Sequence, residues 1–395
     1  MNEKQKPSIR FKGFTEAWEQ RKLGEVTESY SGGTPTAGKK EYYDGDIPFI
    51  RSGEISSDKT ELFISEEGLN SSSAKMVTTG DILYALYGAT SGEVSISKLK
   101  GAINQAILAI QPHQNYDSQF LMQWLRKSKE NIIGTYLQGG QGNLSGNIVK
   151  ELVIDAPTYE EQKEIGAYLK NIDYLITLHQ RKYDKLVNVK KSMLEKMFPR
   201  DGKNVPEIRF AGFTEAWEQR KLGEFGKATG GTSIESEFDE LGKYKVISIG
   251  SYSETSKYTD QGIRVNKTNK TESRILKKNN LTMILNDKTA SGNIIGRVLL
   301  IDADDSYVFN QRTERIDVYE NEYLPDFLYQ LLNADNIREK IIRASQGNTQ
   351  IYVNWASISE LFYKIPVSKS EQRKIADLFN QLDNLITLHQ RKPFV

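Results

Sequence analysis

Apolar residues recur in three distinct rhythms along the chain. Short runs rich in β-branched and aromatic residues lie at Ile82 to Leu86, Ile103 to Ile110, Lys245 to Ile249, Leu281 to Leu285 and Val298 to Ile301. Glycine-rich turns separate them, and the pattern predicts strands. Phe120, Leu121, Trp124 and Leu125 form a one-faced stripe that Phe327, Leu328, Leu331 and Leu332 repeat, predicting one amphipathic helix in each half of the chain. Pro325 suits the first helical position of the second. The third rhythm alternates steps of four and three: Ile165, Leu169, Ile172, Ile176, His179, Tyr183, Leu186, Lys190, Met193 and Met197, then Ile375, Phe379, Leu382, Ile386 and His389. That is the seam of a coiled coil. Thr158 with Glu161, and Ser368 with Glu371, predict capping boxes at the starts of these helices.

Glu160, Glu161 and Glu164 lead the first seam helix and Lys190, Lys191 and Lys196 trail it, which suits the helix dipole. A helix over about 160–198 is roughly 58 Å long at 1.5 Å per residue, and the second, of about 23 residues before Pro393, roughly 35 Å. Paired antiparallel, the two form a rigid spacer between the regions they follow.

An internal repeat organises these elements. Residues 7–25 (PSIRFKGFTEAWEQRKLGE) and 206–224 (PEIRFAGFTEAWEQRKLGE) agree at 17 of 19 positions, and LITLHQRK stands at both 175–182 and 385–392. Between these ends only landmarks survive. Gly32-Gly33-Thr34 pairs with Gly230-Gly231-Thr232, Ser91-Gly92 with Ser291-Gly292 and Asn104-Gln105 with Asn310-Gln311. Gln141-Gly142-Asn143 pairs with Gln346-Gly347-Asn348, and Pro157 with Pro366. The expected architecture is α+β: a tandem duplication of two α+β domains, each followed by a long helix. The boundaries read as a first domain at 1–158, a central helix at 159–199, a linker at 200–207, a second domain at 208–367 and a distal helix at 368–395.

The 395 residues include no cysteine and carry a formal net charge of +1. Absence of cysteine excludes disulfides and thiolate metal sites and fits a reducing, cytoplasmic compartment. The opening MNEKQKPS lacks the apolar stretch of a secretory signal, and no segment approaches the roughly 20 apolar residues of a membrane span. Three histidines, His113, His179 and His389, have no metal-ligand spacing. Gly33 to Lys40 approximates a phosphate loop, but Lys40 replaces the required Ser/Thr and the second half lacks the Gly-Lys. Neither a dinucleotide fingerprint nor a methyltransferase motif is visible, so no catalytic residue is assigned.

In this order the landmarks resemble the specificity subunit of type I restriction–modification enzymes. The resemblance rests on two variable inserts, each followed by a helix opening with Glu161-Gln162 or Glu371-Gln372, on the repeated GFTEAWEQRKLGE, on Gly-Gly-Thr-Pro at 32–35 and on Asn104-Gln105 ahead of an apolar strand. It covers essentially the whole chain. It implies that each insert recognises one half of a bipartite double-stranded DNA site, the helices dock two methyltransferase subunits, and motor–nuclease subunits complete the complex. Cofactors of this chain itself are none; S-adenosylmethionine, ATP and Mg2+ belong to the partner subunits. One departure is that the distal helix stops at Arg391-Lys392-Pro-Phe-Val, about 16 residues short of the first helix's extent.

Base readout needs donors and acceptors able to reach groove edges. The candidates are Gly32, Thr34, Arg51, Tyr84, Tyr87, Asn104, Gln105, Gln141 and Asn143 in the first half, and Gln311, Arg312, Gln346, Asn348 and Gln350 in the second. The shared Asn-Gln pairs also suit a structural role, since domains that read different sequences should differ at their reading positions. For phosphate contact, Arg264, Lys267, Lys270, Arg274, Lys277 and Lys278 face only Glu272 between residues 264 and 278. The alternative function is a helical adaptor that assembles proteins without touching DNA.

Overall fold

A computed structural model of the chain describes residues 7–137, 143–200 and 202–390. It separates into two compact units, Met1–Thr177 and Leu178–Val395.

Among its described residues unit 1 contains ten strands: β1 (Glu19–Lys22), β2 (Thr27–Ser31), β3 (Ile47–Ile50), β4 (Phe63–Ile64), β5 (Lys75–Val77), β6 (Ile82–Ala85), β7 (Val94–Ile96), β8 (Gly101–Ile103), β9 (Ile107–Pro112) and β10 (Val153–Ala156). They build two four-stranded sheets, ordered β2-β9-β6-β7 and β4-β3-β8-β5, and a separate β1–β10 ribbon. The predicted run from Ile103 to Ile110 is therefore two strands, broken where Asn104 turns the chain from one sheet to the other. Helix α1 (Ser118–Tyr136) is capped by Asp117, whose carboxylate accepts the Phe120 N–H. Its stripe of Phe120, Leu121 and Leu125 is buried, with Trp124 packed at the edge, against Ile82, Tyr84, Leu108 and Ile110.

Unit 2 repeats the plan with β11 (Glu218–Lys221), β12 (Gly226–Gly230), β13 (Tyr244–Ile247), β14 (Arg264–Val265), β15 (Leu281–Ile284), β16 (Asn286–Asp287), β17 (Val298–Leu300), β18 (Tyr307–Phe309), β19 (Thr313–Val318), β20 (Ile351–Tyr352) and β21 (Phe362–Ile365). The sheet β12-β19-β15-β17 matches β2-β9-β6-β7 strand for strand, and the ribbon β11–β21 matches β1–β10. The expected single amphipathic helix is here two, α3 (Pro325–Asn333) and α4 (Asp335–Arg343), because Ala334 leaves the helical region at ψ 129°. Pro325 opens α3, and Phe327, Leu328, Leu331 and Leu332 are all buried.

Helix α2 (Tyr159–Met197) runs for 39 residues and α5 (Lys369–Gln390) for 22. Within unit 2 the later part of α2 lies antiparallel to α5. His179 meets His389 (Nδ1 to Nδ1, 2.9 Å), Lys190 Nζ donates to Asp383 (2.7 Å), and Phe198 stacks on Phe379 at 6.0 Å between ring centroids. Met197 and Phe198 are buried in the unit 2 core, whereas Ile176 of the predicted seam is half exposed.

The expected capping boxes are replaced by something stronger. Glu161 is fully buried and receives a bidentate pair from Arg10, both contacts at 2.6 Å. Glu371 receives one from Arg209 (2.7 and 2.8 Å) and a third bond from Trp217 Nε1. The neighbouring glutamines act as fasteners: Gln162 accepts the Asp117 N–H and donates to the Pro157 carbonyl, and Gln372 accepts the Leu324 N–H and donates to Pro366. Each Glu-Gln pair thus ties the repeated leading segment, the amphipathic helix and the long helix together. The arginine of the 19-residue repeat, and in unit 2 its tryptophan, acquire a structural reason.

Candidate nucleic-acid interface

In both units the sheet ends in a turn: in unit 1 it gathers Gly32, Thr34, Tyr87, Asn104 and Gln105, and in unit 2 Gln311 and Arg312. In unit 1, Thr34 Oγ1 donates to Gln105 Oε1 at 2.5 Å. Tyr87 lies against the same glutamine; its phenol is pushed up by partial burial, with the Gln105 hydrogen bond opposing. Asn104 Oδ1 accepts the Ala106 N–H at 3.2 Å and shapes the turn. Gly32 belongs to the frame rather than to the reading surface, since a Cβ there would stand 1.9 Å from the Ile103 carbonyl oxygen.

The equivalent turn in unit 2 is more polar. Asn310 is 5% exposed, and its Oδ1 accepts the N–H groups of Ile234 (3.2 Å) and Gln311 (2.7 Å). Its Nδ2 and Gln311 Nε2 both donate to Glu235, at 3.1 and 2.9 Å. Burial works to raise the Glu235 carboxyl, but its own backbone N–H, these amides and the charge of Arg312 hold it below the usual range. Arg312 takes φ +63° with an exposed side chain. A non-glycine residue in that region is held there by its surroundings and marks positions worth testing for function. Gln346, Asn348 and Gln350 lie exposed on the loop before β20, where Tyr352 Oη donates to Gln346 Oε1.

The structure revises several expectations. Tyr84 cannot read DNA: it is fully buried in the unit 1 core, where desolvation pushes its phenol up to about 12. The glycine landmarks align one residue differently. Strands β2 and β12 make Gly32 equivalent to Gly231, whose Cβ would likewise meet a carbonyl, that of Asn310, at 1.9 Å. Arg51 is engaged by Glu54 (2.8 Å) and Glu61 (3.2 Å), and the same pairing lowers the Glu54 carboxyl to about 2. Half of the basic run is neutralised: Arg264 pairs with Asp260, Lys267 with Glu272 and Lys270 with Glu237. Lys277 and Lys278 are exposed and form no ion pair among the described residues. Asn143 is exposed, while Gln141 lies outside the described residues. The loop at Gly33 to Lys40 is no phosphate cradle, because Lys39 Nζ donates to Tyr42 Oη (3.0 Å) and lies over its ring.

Arg274 is different from the rest of its run, and its partner Arg315 was not anticipated. Both guanidinium groups lie over the buried Phe309 ring, at 5.4 and 5.5 Å from its centroid. Arg274 donates to Thr232 Oγ1 (2.7 Å), and Arg315 to the Ser273 carbonyl (3.1 Å) and to Asp317 (3.2 Å). Burial, and then repulsion from Arg315, lower the Arg274 pKa. With Arg315 paired to Asp317, Arg274 is the cation of this ring that forms no ion pair among the described residues, and beside a Gly-Thr turn it suits a phosphate contact. The alternating polar positions of Thr313-Glu-Arg-Ile-Asp-Val318 carried the signal for Arg315 in the sequence.

Comparison with known families decides what such a paired frame belongs to. The family model described as type I restriction modification DNA specificity domain matches twice, over residues 15–188 and 214–394. The chain belongs to this family. It is a recognition subunit and not a catalytic one. The type I restriction enzyme MjaVIII specificity subunit of Methanocaldococcus jannaschii is 24% identical over 386 residues, 95% of this chain and 88% of that protein. The EcoR124I/EcoR124II specificity subunit of Escherichia coli is 27% identical over 42% of this chain and 46% of its own. Among solved structures, the S subunit of a type I system from M. genitalium shares the fold, with a TM-score of 0.58 at 17% identity over 96% of this chain and 92% of that one. Among the described residues no helix is long and apolar enough to cross a membrane, and no group of three or more His, Cys, Asp or Glu is arranged to hold a metal ion.

Proposed function

We propose that each unit binds one half of a bipartite double-stranded DNA target and that the chain carries two methyltransferase subunits to it. Motor–nuclease subunits complete the restriction complex. The observation that carries this reading is a shared strand-and-turn frame whose lining differs between the units. Around a glutamine that both units share (Gln105 and Gln311), Thr34 and Tyr87 line it in unit 1, against Arg312, Arg274 and Arg315 in unit 2. An adaptor that only assembled proteins would need no such difference.

S-adenosylmethionine, ATP and Mg2+ would act on the partner subunits, with methylation of a flipped adenine. The test is single-molecule sequencing of methylated adenines in a host carrying the methyltransferase subunit, with and without this chain. A split motif that needs this chain, and of which one half alone changes when residues 26–157 are exchanged, supports the reading. Co-purification of the subunits with no new methylated motif would favour the adaptor instead.

A further inference from the structure

The ribbons that open the two units carry an oddity that their own packing does not explain. Strands β1 and β11 both read Glu-Gln-Arg-Lys and are almost wholly exposed. The strands they pair with share the same alternation of burial but no residue: Val153-Ile-Asp-Ala156 against Phe362-Tyr-Lys-Ile365. Gln20 faces Asp155, whereas Gln219 faces Lys364 and accepts its Nζ at 3.0 Å. The glutamine is thus kept opposite partners of reversed charge. Divergence resumes as soon as the chain turns inward, with Val26 in unit 1 against Phe225 in unit 2 and Thr27 against Gly226.

Intramolecular packing therefore accounts for Arg10, Trp18 and Leu23 and their counterparts, but not for the outer strand. Even its surface ion pairs are reproduced. Arg21 pairs with Glu19 and Lys22 with Glu151, as Arg220 does with Glu218 and Lys221 with Glu360. Isolated exposed pairs of this kind contribute at most about 1 kcal/mol to stability, so folding gives little reason to keep them. Among the described residues no further strand pairs with the outer edge of β1 or β11, and an open edge is a template for an added strand.

We infer that β1 and β11 are two copies of one protein-docking surface, each receiving an extended segment from one of two identical partner subunits. Identity of the surfaces calls for identity of the occupants, and the charges match a protein better than DNA. Each strand carries only +1, and the adjoining Glu25 and Glu224 bring each surface to zero, so neither offers the cationic footprint a phosphate backbone needs. The inference rests on the proposed reading in taking the methyltransferase subunit as that partner, and adds where on each unit it binds.

The test uses the full chain with the methyltransferase subunit, native mass spectrometry and amide hydrogen exchange. Two partner copies are expected on the unaltered chain, with exchange slowed at residues 19–22 and 218–221 on binding. Replacing Glu19, Gln20 and Arg21 with Ala should leave one copy, the same change at Glu218, Gln219 and Arg220 one copy, and both together none. Two copies on the doubly altered chain, or unchanged exchange in the unaltered complex, would overturn the inference while leaving partner docking standing. An unaltered chain that recruits no methyltransferase at all sinks the docking reading and this surface with it. Loss of DNA affinity with two copies retained would make the strand a DNA surface and overturn the proposal.

Discussion

The central sheets of the two units superimpose in plan but not in chemistry. Where β2 meets β9, Tyr30 faces Ala109 and Ser31 faces Leu108; where β12 meets β19, Thr229 faces Arg315 and Gly230 faces Glu314. Unit 1 fills this face with an apolar cluster that includes Ile103, Ile107 and Ala109, and Tyr30 closes its edge by donating to the Met76 carbonyl. On the Ala109 side of its sheet unit 2 instead has two arginines over Phe309, and on the opposite side, where unit 1 has Leu108, it has a buried carboxylate, Glu314. The backbone pairing tolerates both because side chains of a strand stand away from the ladder. A duplicated frame can therefore change what it presents without changing its strand order, which is what two different readers require.

The largest effects should come from what the units share. Breaking a buried ion pair leaves a charge stranded, typically at about 3–5 kcal/mol. Glu371→Ala strands Arg209 and also leaves Trp217 Nε1 without its acceptor. Glu161→Ala strands Arg10, while Trp18 Nε1 has no partner to lose. Urea denaturation followed by hydrogen exchange should show unit 2 losing more from its substitution than unit 1 from its own. A larger loss in unit 1 would mean the two fasteners are not equivalent.

Glu314 tests the difference itself. It is 5% exposed, and burial raises its carboxyl to about 7, while Leu108 occupies the matching position in unit 1. A folded-state pKa above the unfolded value means the folded protein holds the extra proton, so stability falls as pH rises from the ordinary glutamate range through about 7 and then levels off. Glu314→Gln should remove that fall and make the protein roughly 1–3 kcal/mol more stable than the parent at pH 8, with little change at pH 4. Parallel stability–pH curves for parent and variant would show that Glu314 ionises without penalty.

At the turns the comparison concerns specificity. Arg312→Ala should weaken binding to the second half-site by about 1–3 kcal/mol, and Gln105→Ala should act similarly on the first. Each change should relax discrimination in its own half only, as measured by binding to duplexes altered in one half. Loss in both halves from either substitution would contradict independent readers.

How much of this was legible in the sequence depended on how local the cause was. The pairing of the later part of the first long helix with the second, the Phe327 stripe, Pro325 as a helix start and the duplicated frame were readable because periodicity and repetition are local or self-evident. The broken second helix was not, since Ala334 is an ordinary helix former whose extended ψ comes from tertiary packing. Tyr84 misled because an aromatic in a strand reads alike whether exposed or covered, and only the fold shows that its strand is buried on both faces. Glu161 and Glu371 suggested caps three residues from Thr158 and Ser368, but their arginine partners lie 151 and 162 residues away in the chain. The pairing within the basic run was illegible for the same reason: Glu237 and Asp260, which neutralise two of its members, lie outside residues 264–278.

That pairing supplies the finest test. Lysines already paired with carboxylates release few counterions on meeting DNA, whereas unpaired ones release their own. Lys277→Ala and Lys278→Ala should each flatten the log K against log salt slope by about 0.9 and weaken all duplexes alike. Arg264→Ala, which removes the partner of Asp260, should barely change the slope, although it belongs to the same run. The comparison needs only one duplex at several salt concentrations. Equal slopes for all three variants would mean that the whole stretch stays in solvent and that phosphate contact in unit 2 falls to Arg274 instead.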